Sequence, residues 1–173
     1  MGAERREATP EEARAIASPV RLRILRLCLD TSLTNKRIAE ALGRDPASVL
    51  YHVRLLVRTG FLRAEEERRG ARGAREVPYR ATGKSWNMEV VDERQGRAGT
   101  AALVEAFIED VRRVGAENVE AARLGLRLTP AEHEELKKRL FDVLQDFDDR
   151  ESDGEPWSLF VGVHRDDRPV DPA

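Results

Sequence analysis

The chain has 173 residues, 40% of them hydrophobic and 36% charged, an apolar share low for a globular protein yet too high for a wholly disordered one. A single cysteine, Cys28, excludes an internal disulfide and any cysteine-cage zinc or iron–sulfur site, and no apolar run approaches the ~20 residues of a membrane span. The formal charge of −2 hides a division: residues 1–80 hold 17 Lys and Arg against 11 Asp and Glu, a net +6, and residues 81–173 hold 13 against 21, a net −8.

Residues 1–9 are polar and are expected to fray. Met1 to Arg14 lacks the apolar stretch of a secretory signal, so a soluble cytoplasmic protein is expected. Thr9 and Glu12 stand at capping-box spacing around Pro10, which predicts a short helix over Glu11 to Ala17. Ser18-Pro19 starts a second helix with a broad apolar stripe of Leu22, Ile24, Leu25, Cys28 and Leu29. Cys28 reads as a small core residue. Thr34 caps a third helix through Leu42, which Gly43 stops. Asp45-Pro46 starts a fourth, running to Thr59 and ended by Gly60. Two helices about a short glycine-containing turn have helix-turn-helix spacing.

The fourth helix has two faces. Val49, Val53, Leu56 and Val57 recur at helical spacing and face inward, with His52 beside them as a core-edge histidine. Ala47, Ser48, Tyr51 and Arg54 fall on the other side, and no acid occurs between Asp45 and Glu65. Small, hydroxyl, aromatic and guanidinium groups on one acid-free face suit a major groove. Residues 61–65 and 76–81 then read as two strands, the second an edge strand because of Pro78. Their loop carries Arg68, Arg69, Arg72 and Arg75, separated only by glycine and alanine, a cationic finger for phosphate or a narrow minor groove.

Three segments together resemble ArsR-like winged-helix transcriptional regulators. They are Ala15 to Leu25 (AIASPVRLRIL), Ala47 to Leu56 (ASVLYHVRLL) and Thr59-Gly60-Phe61-Leu62. The likeness covers about residues 10–82. It implies a homodimeric regulator on double-stranded DNA, with recognition helix 46–59 in the major groove and wing 67–75 on the flanking backbone or minor groove. Metal-sensing members carry cysteines on the helix before the recognition helix. Here Thr34 to Glu40 has neither cysteine nor histidine, so no metal or other cofactor is expected. Residues 79–86 and 123–129 are similar to actinobacterial regulators of this kind.

Residues 83–121 read as a connecting segment and a helix from Thr100 carrying Val104, Phe107, Ile108, Val111 and Val114 on one face. Dimerisation and packing on its own chain both account for that face. Residues 122–165 read as a small β-α-β domain. Ala122, Leu124, Leu126 and Leu128 alternate with polar residues, a Thr129-Pro130 helix follows, and Trp157, Leu159, Val161 and Val163 alternate again. The segment Trp86–Val91, or a partner subunit, is expected to complete its sheet. A core and a pocket for a small-molecule effector both account for the apolar residues of this half.

The fold class is therefore α+β, a winged helix-turn-helix domain followed by a dimerisation helix and the β-α-β domain. Enzymatic motifs fail: Gly83-Lys84-Ser85 has Pro78 where a phosphate loop needs glycine, and His133-Glu134 has Lys137 where a zinc hydrolase needs a second histidine. A non-enzymatic DNA-binding regulator is expected. A protein-interaction module and a nucleoid-structuring protein are the alternatives.

Overall fold

The computed structural model describes residues 6–69 and 75–166. The chain divides after Glu117 into two units. In the first, the order is β1 (Arg6–Glu7), α1 (Pro10–Ile16), α2 (Pro19–Leu27), β2 (Leu33–Thr34), α3 (Asn35–Leu42), α4 (Pro46–Arg58), β3 (Leu62–Ala64), β4 (Arg68–Arg69), β5 (Arg75–Glu76), β6 (Pro78–Ala81), β7 (Met88–Glu89) and α5 (Glu93–Val114). This is a winged helix-turn-helix fold of the α+β class. No helix among the described residues is long and apolar enough to cross a membrane.

Local chemistry sets the helix ends. Thr9 and Glu12 form the full capping box on α1. The Thr34 and Asp45 side chains accept from Arg37 and Ser48 N–H groups at the starts of α3 and α4. Ser18 occupies the N-cap position of α2 without a side-chain cap bond, leaving that start to Pro19. Gly43 closes α3 at φ +62°, a left-handed conformation that a Cβ would disfavour.

The core lies between α2, α3, α4 and the sheet. Ile24, Cys28, Ile38, Val49, Val53 and Leu56 are fully sealed, and Phe61, Leu62 and Met88 nearly so. Each large side chain so buried stabilises by about 1.5–3 kcal/mol. Burial also pushes the Cys28 thiol up to about 11, consistent with an inert core cysteine. Leu29, expected inside, is 41% exposed because α2 ends at Leu27.

Strand pairing corrects three expectations. The three-stranded sheet has the order β2-β6-β3, so β6 is central and not an edge. Pro78 is tolerated because it is the first residue of β6, where its carbonyl accepts from Glu65 N–H at 2.9 Å. Residues 6 and 7 are also tied down: β1 pairs in parallel with β7, Arg6 opposite Met88 and Glu7 opposite Glu89. The segment after the wing thus completes a ribbon with the N-terminal strand, not a sheet in the rear half.

Helix α5 starts at Glu93, earlier than expected, because Asp92 caps it by accepting from Gln95 N–H. Gly99, Ala102 and Ala106 are its buried positions, and α5 packs on α1 and α2. Small residues allow that close approach. Arg23 of α2 fastens α5 through Glu109 at 2.7 Å and Asp110 at 3.7 Å. Leu103, Val104, Ile108 and Val114 remain exposed.

Among its described residues the second unit has one α-helix, α6 (Pro130–Asp148), started by the Thr129–Glu132 capping box. No strand forms in residues 122–128 or 157–163, so the expected β-α-β arrangement is absent there. Alternation alone does not make a strand; a ladder partner is needed. Leu124 and Trp157 are each 79% exposed, and α6 has no buried residue.

Candidate nucleic-acid interface

The sealed side of α4 fixes which side is left open. Val49, Val53 and Leu56 lock the helix onto the core, and Ala47, Ser48, Tyr51 and Arg54 all emerge on the surface. Tyr51 is 68% exposed. Its ring meets His52 edge-on, centroids 5.4 Å apart. The first turn of α4 is stapled to that of α3 by the Asn35 side-chain amide, which donates to the Pro46 carbonyl at 2.9 Å. Among the described residues Arg54 has no carboxylate partner.

His52 is half-buried and faces Arg21, whose Nη1 lies 3.5 Å from His52 Nδ1. Burial first, then the Arg21 and Arg44 cations, pull its pKa below the usual histidine value, favouring a neutral ring. Arg21 in turn donates to the Arg14 carbonyl at 2.7 Å and to the Ala15 carbonyl, capping the last turn of α1.

The far end of α4 is pinned from behind. Lys84 Nζ donates to the Thr59 carbonyl at 2.6 Å, pairs with Glu12 at 2.5 Å and lies 5.0 Å from the Phe61 ring centroid. Glu12 also accepts from Arg6 at 2.7 and 2.9 Å and from Thr9 N–H at 2.8 Å. The Arg6 guanidinium, with Lys84 and the Thr9 N–H, holds this carboxyl well below the usual carboxylate range against the opposing effect of burial.

The wing is built from β3 and β6, with Leu62 opposite Ala81 and Ala64 opposite Tyr79, and extended by β4 and β5. Arg68, Arg69 and Arg75 are exposed on that extension. Arg72 lies outside the described residues. The cluster has acids at its base: Arg75 pairs with Glu67 at 3.0 Å, and Arg68 stands opposite Glu76. Arg69 stands opposite Arg75, a like-charge cross-strand pair. Such pairs are unfavourable unless an anion meets them.

Sequence reasoning missed two residues. Arg58 stands on the outer stripe of α4, four positions beyond Arg54, and helical spacing alone was the signal. Beside it, Arg14 of α1 borders a hollow of about 420 Å3 that Arg21, Arg58, Tyr51, Leu55 and Glu11 also line. No group of three or more His, Cys, Asp or Glu side chains among the described residues could hold a metal ion. The surface offers guanidinium, hydroxyl and phenol donors, suited to phosphates and base edges.

A family profile described as "Helix-turn-helix domain" matches residues 16–65. No curated protein matches the chain. Among solved structures, the chain is similar to reduced HlyU from Vibrio cholerae at 24% identity, covering 58% of this chain and 81% of that one, TM-score 0.34. It is similar at 19% identity to the homodimeric winged helix-turn-helix DNA-binding domain of Mb0332 from Mycobacterium bovis, a possible ArsR-family regulator, covering 65% and 82%, TM-score 0.36. A ZitR mutant from Lactococcus lactis matches at 20% identity over 75% of each chain, TM-score 0.33.

Proposed function

With residues 16–65 forming a helix-turn-helix domain, we propose that the chain is a DNA-binding transcriptional regulator that acts as a homodimer, with no enzymatic role. Helix α4 enters the major groove, Ser48 and Tyr51 help to read bases, and Arg54 contacts a base or phosphate. The wing lies on the flanking backbone or minor groove through Arg68, Arg69, Arg72 and Arg75. The observation that carries the reading is the outer face of α4, open, free of acids and set on a rigid core. Arg68 and Arg69, exposed on β4 and without a carboxylate partner among the described residues, support the wing's part. The exposed apolar side chains of α5 support a second copy as the partner across that helix.

The test is salt dependence of duplex binding. Log affinity falls with log salt by ~0.9 per phosphate neutralised. Replacing Arg68, Arg69, Arg72 and Arg75 by alanine flattens the slope; an unchanged slope removes the wing from the mechanism. Arg54→Ala weakens a selected duplex more than bulk DNA if Arg54 reads a base, and both equally if it holds phosphate. Competition by bulk DNA equal to that by any selected duplex favours a nucleoid-structuring protein instead.

A further inference from the structure

The outer stripe of α4 continues past Arg54. Ala47, Tyr51, Arg54 and Arg58 stand in one row, and the row ends at the hollow against α1. Three arginines, Arg14, Arg21 and Arg58, line the hollow together with one acidic residue, Glu11. That carboxylate holds Arg58 at 3.0 Å, but the two side chains are 58% and 66% exposed, and such pairs open readily. Arg21 is different. Its guanidinium is fixed by the Arg14 and Ala15 carbonyls and has no carboxylate partner among the described residues. Partial burial lowers its pKa, with no carboxylate among the described residues to offset that effect. Leu55 and the Tyr51 ring supply the rest of its wall on the side of α4. A compact oxyanion with several acceptor oxygens suits a hollow lined by three arginines.

We propose that this hollow seats a phosphate group and that, on DNA, the phosphate belongs to the backbone beside the groove α4 enters. The second clause rests on the DNA-binding reading above; the first does not. The full chain is titrated with a labelled mixed-sequence duplex at several salt concentrations. Arg14→Ala and Arg58→Ala each lower the salt slope by about 0.9. Glu11→Gln, which frees Arg58, tightens binding roughly two- to fivefold. Arg58→Gln, with its thermal midpoint measured alongside, separates a lost contact from a damaged fold.

Inorganic phosphate is titrated into the DNA-free chain in parallel, following arginine side-chain N–H resonances by NMR. Lowered slopes assign the site to backbone phosphate. Unchanged slopes with a saturable phosphate response that Arg58→Ala abolishes keep the phosphate seat but overturn its backbone source. Unchanged slopes and no phosphate response overturn the proposal. If the unmutated chain shows no salt-dependent duplex binding, the DNA reading fails, and the phosphate titration alone decides the hollow.

Discussion

Replacing Glu12 by glutamine tests how α4 is held. Glutamine still serves the capping box of α1, so helix initiation survives. The charge shared with Lys84 and Arg6 does not. The Lys84 and Glu12 side chains are only 25% and 10% exposed, so their 2.5 Å contact belongs with shielded charge-assisted bonds. Such a bond contributes about 1.5–3 kcal/mol. Arg6 is 47% exposed, and solvent screening leaves it the lesser partner. The expected loss is about 1.5–3 kcal/mol at neutral pH, measured by urea unfolding followed by circular dichroism. The pH dependence gives an independent check. The Glu12 carboxyl is depressed in the folded chain, so its contribution is complete above the unfolded value of ~4.3 and declines as pH falls toward the folded one. The gap between wild type and Glu12→Gln therefore narrows in acid. A gap that stays constant from neutral pH down to pH ~3, or one below ~0.5 kcal/mol at neutral pH, would refute the argument.

Two further substitutions probe the scaffold. Gly43→Ala meets no atom within 4 Å, so its cost is conformational alone, about 1–2 kcal/mol in thermal or urea unfolding; no loss would mean that the turn before α4 relaxes freely. Ile108→Glu puts a charge on the exposed apolar side of α5, where Ile108 is 42% exposed. The expected outcome is that the proposed dimer becomes a monomer in sedimentation without a change in helical content, and a dimer that persists unchanged removes this face as the interface.

The N-terminal elements were legible because their signals are local. Thr9, Thr34 and Asp45 each announce a helix start within four residues, and the spacing of Val49, Val53 and Leu56 fixes the inward side of α4. Strand order was not legible. Pro78 suggests an edge, but the sheet uses it at the first position of a central strand, where its missing N–H costs little. The pairing of β1 with β7 joins residues 82 positions apart, and nothing in the polar sequence of residues 1–9 signals it. On α5 the larger apolar side chains mark one helical face, yet Gly99, Ala102 and Ala106 are the buried positions. Period alone does not distinguish a face that packs at home from one left outside. The alternation in residues 122–128 and 157–163 fails for a related reason: it describes what a strand would bury, not what it would pair with.

The candidate site was legible as a row and illegible as an electrostatic surface. Periodicity located Ala47, Ser48, Tyr51 and Arg54, but which arginines are already compensated depends on tertiary partners. Arg23 looks as available as Arg54 in sequence, and it is consumed by Glu109, 86 residues away. Arg63 is taken by Glu65 and Arg75 by Glu67, while Arg54, Arg68 and Arg69 have no carboxylate partner among the described residues. This sorting bears directly on DNA binding. An uncompensated guanidinium that meets phosphate releases a counterion at no cost to the protein. One held by a carboxylate must first give up that bond, which offsets part of the gain. Arg54, Arg68 and Arg69 should therefore carry more of the affinity than Arg58 or Arg75. The wing's contribution should then be unevenly divided between its two strands, with β4 the stronger.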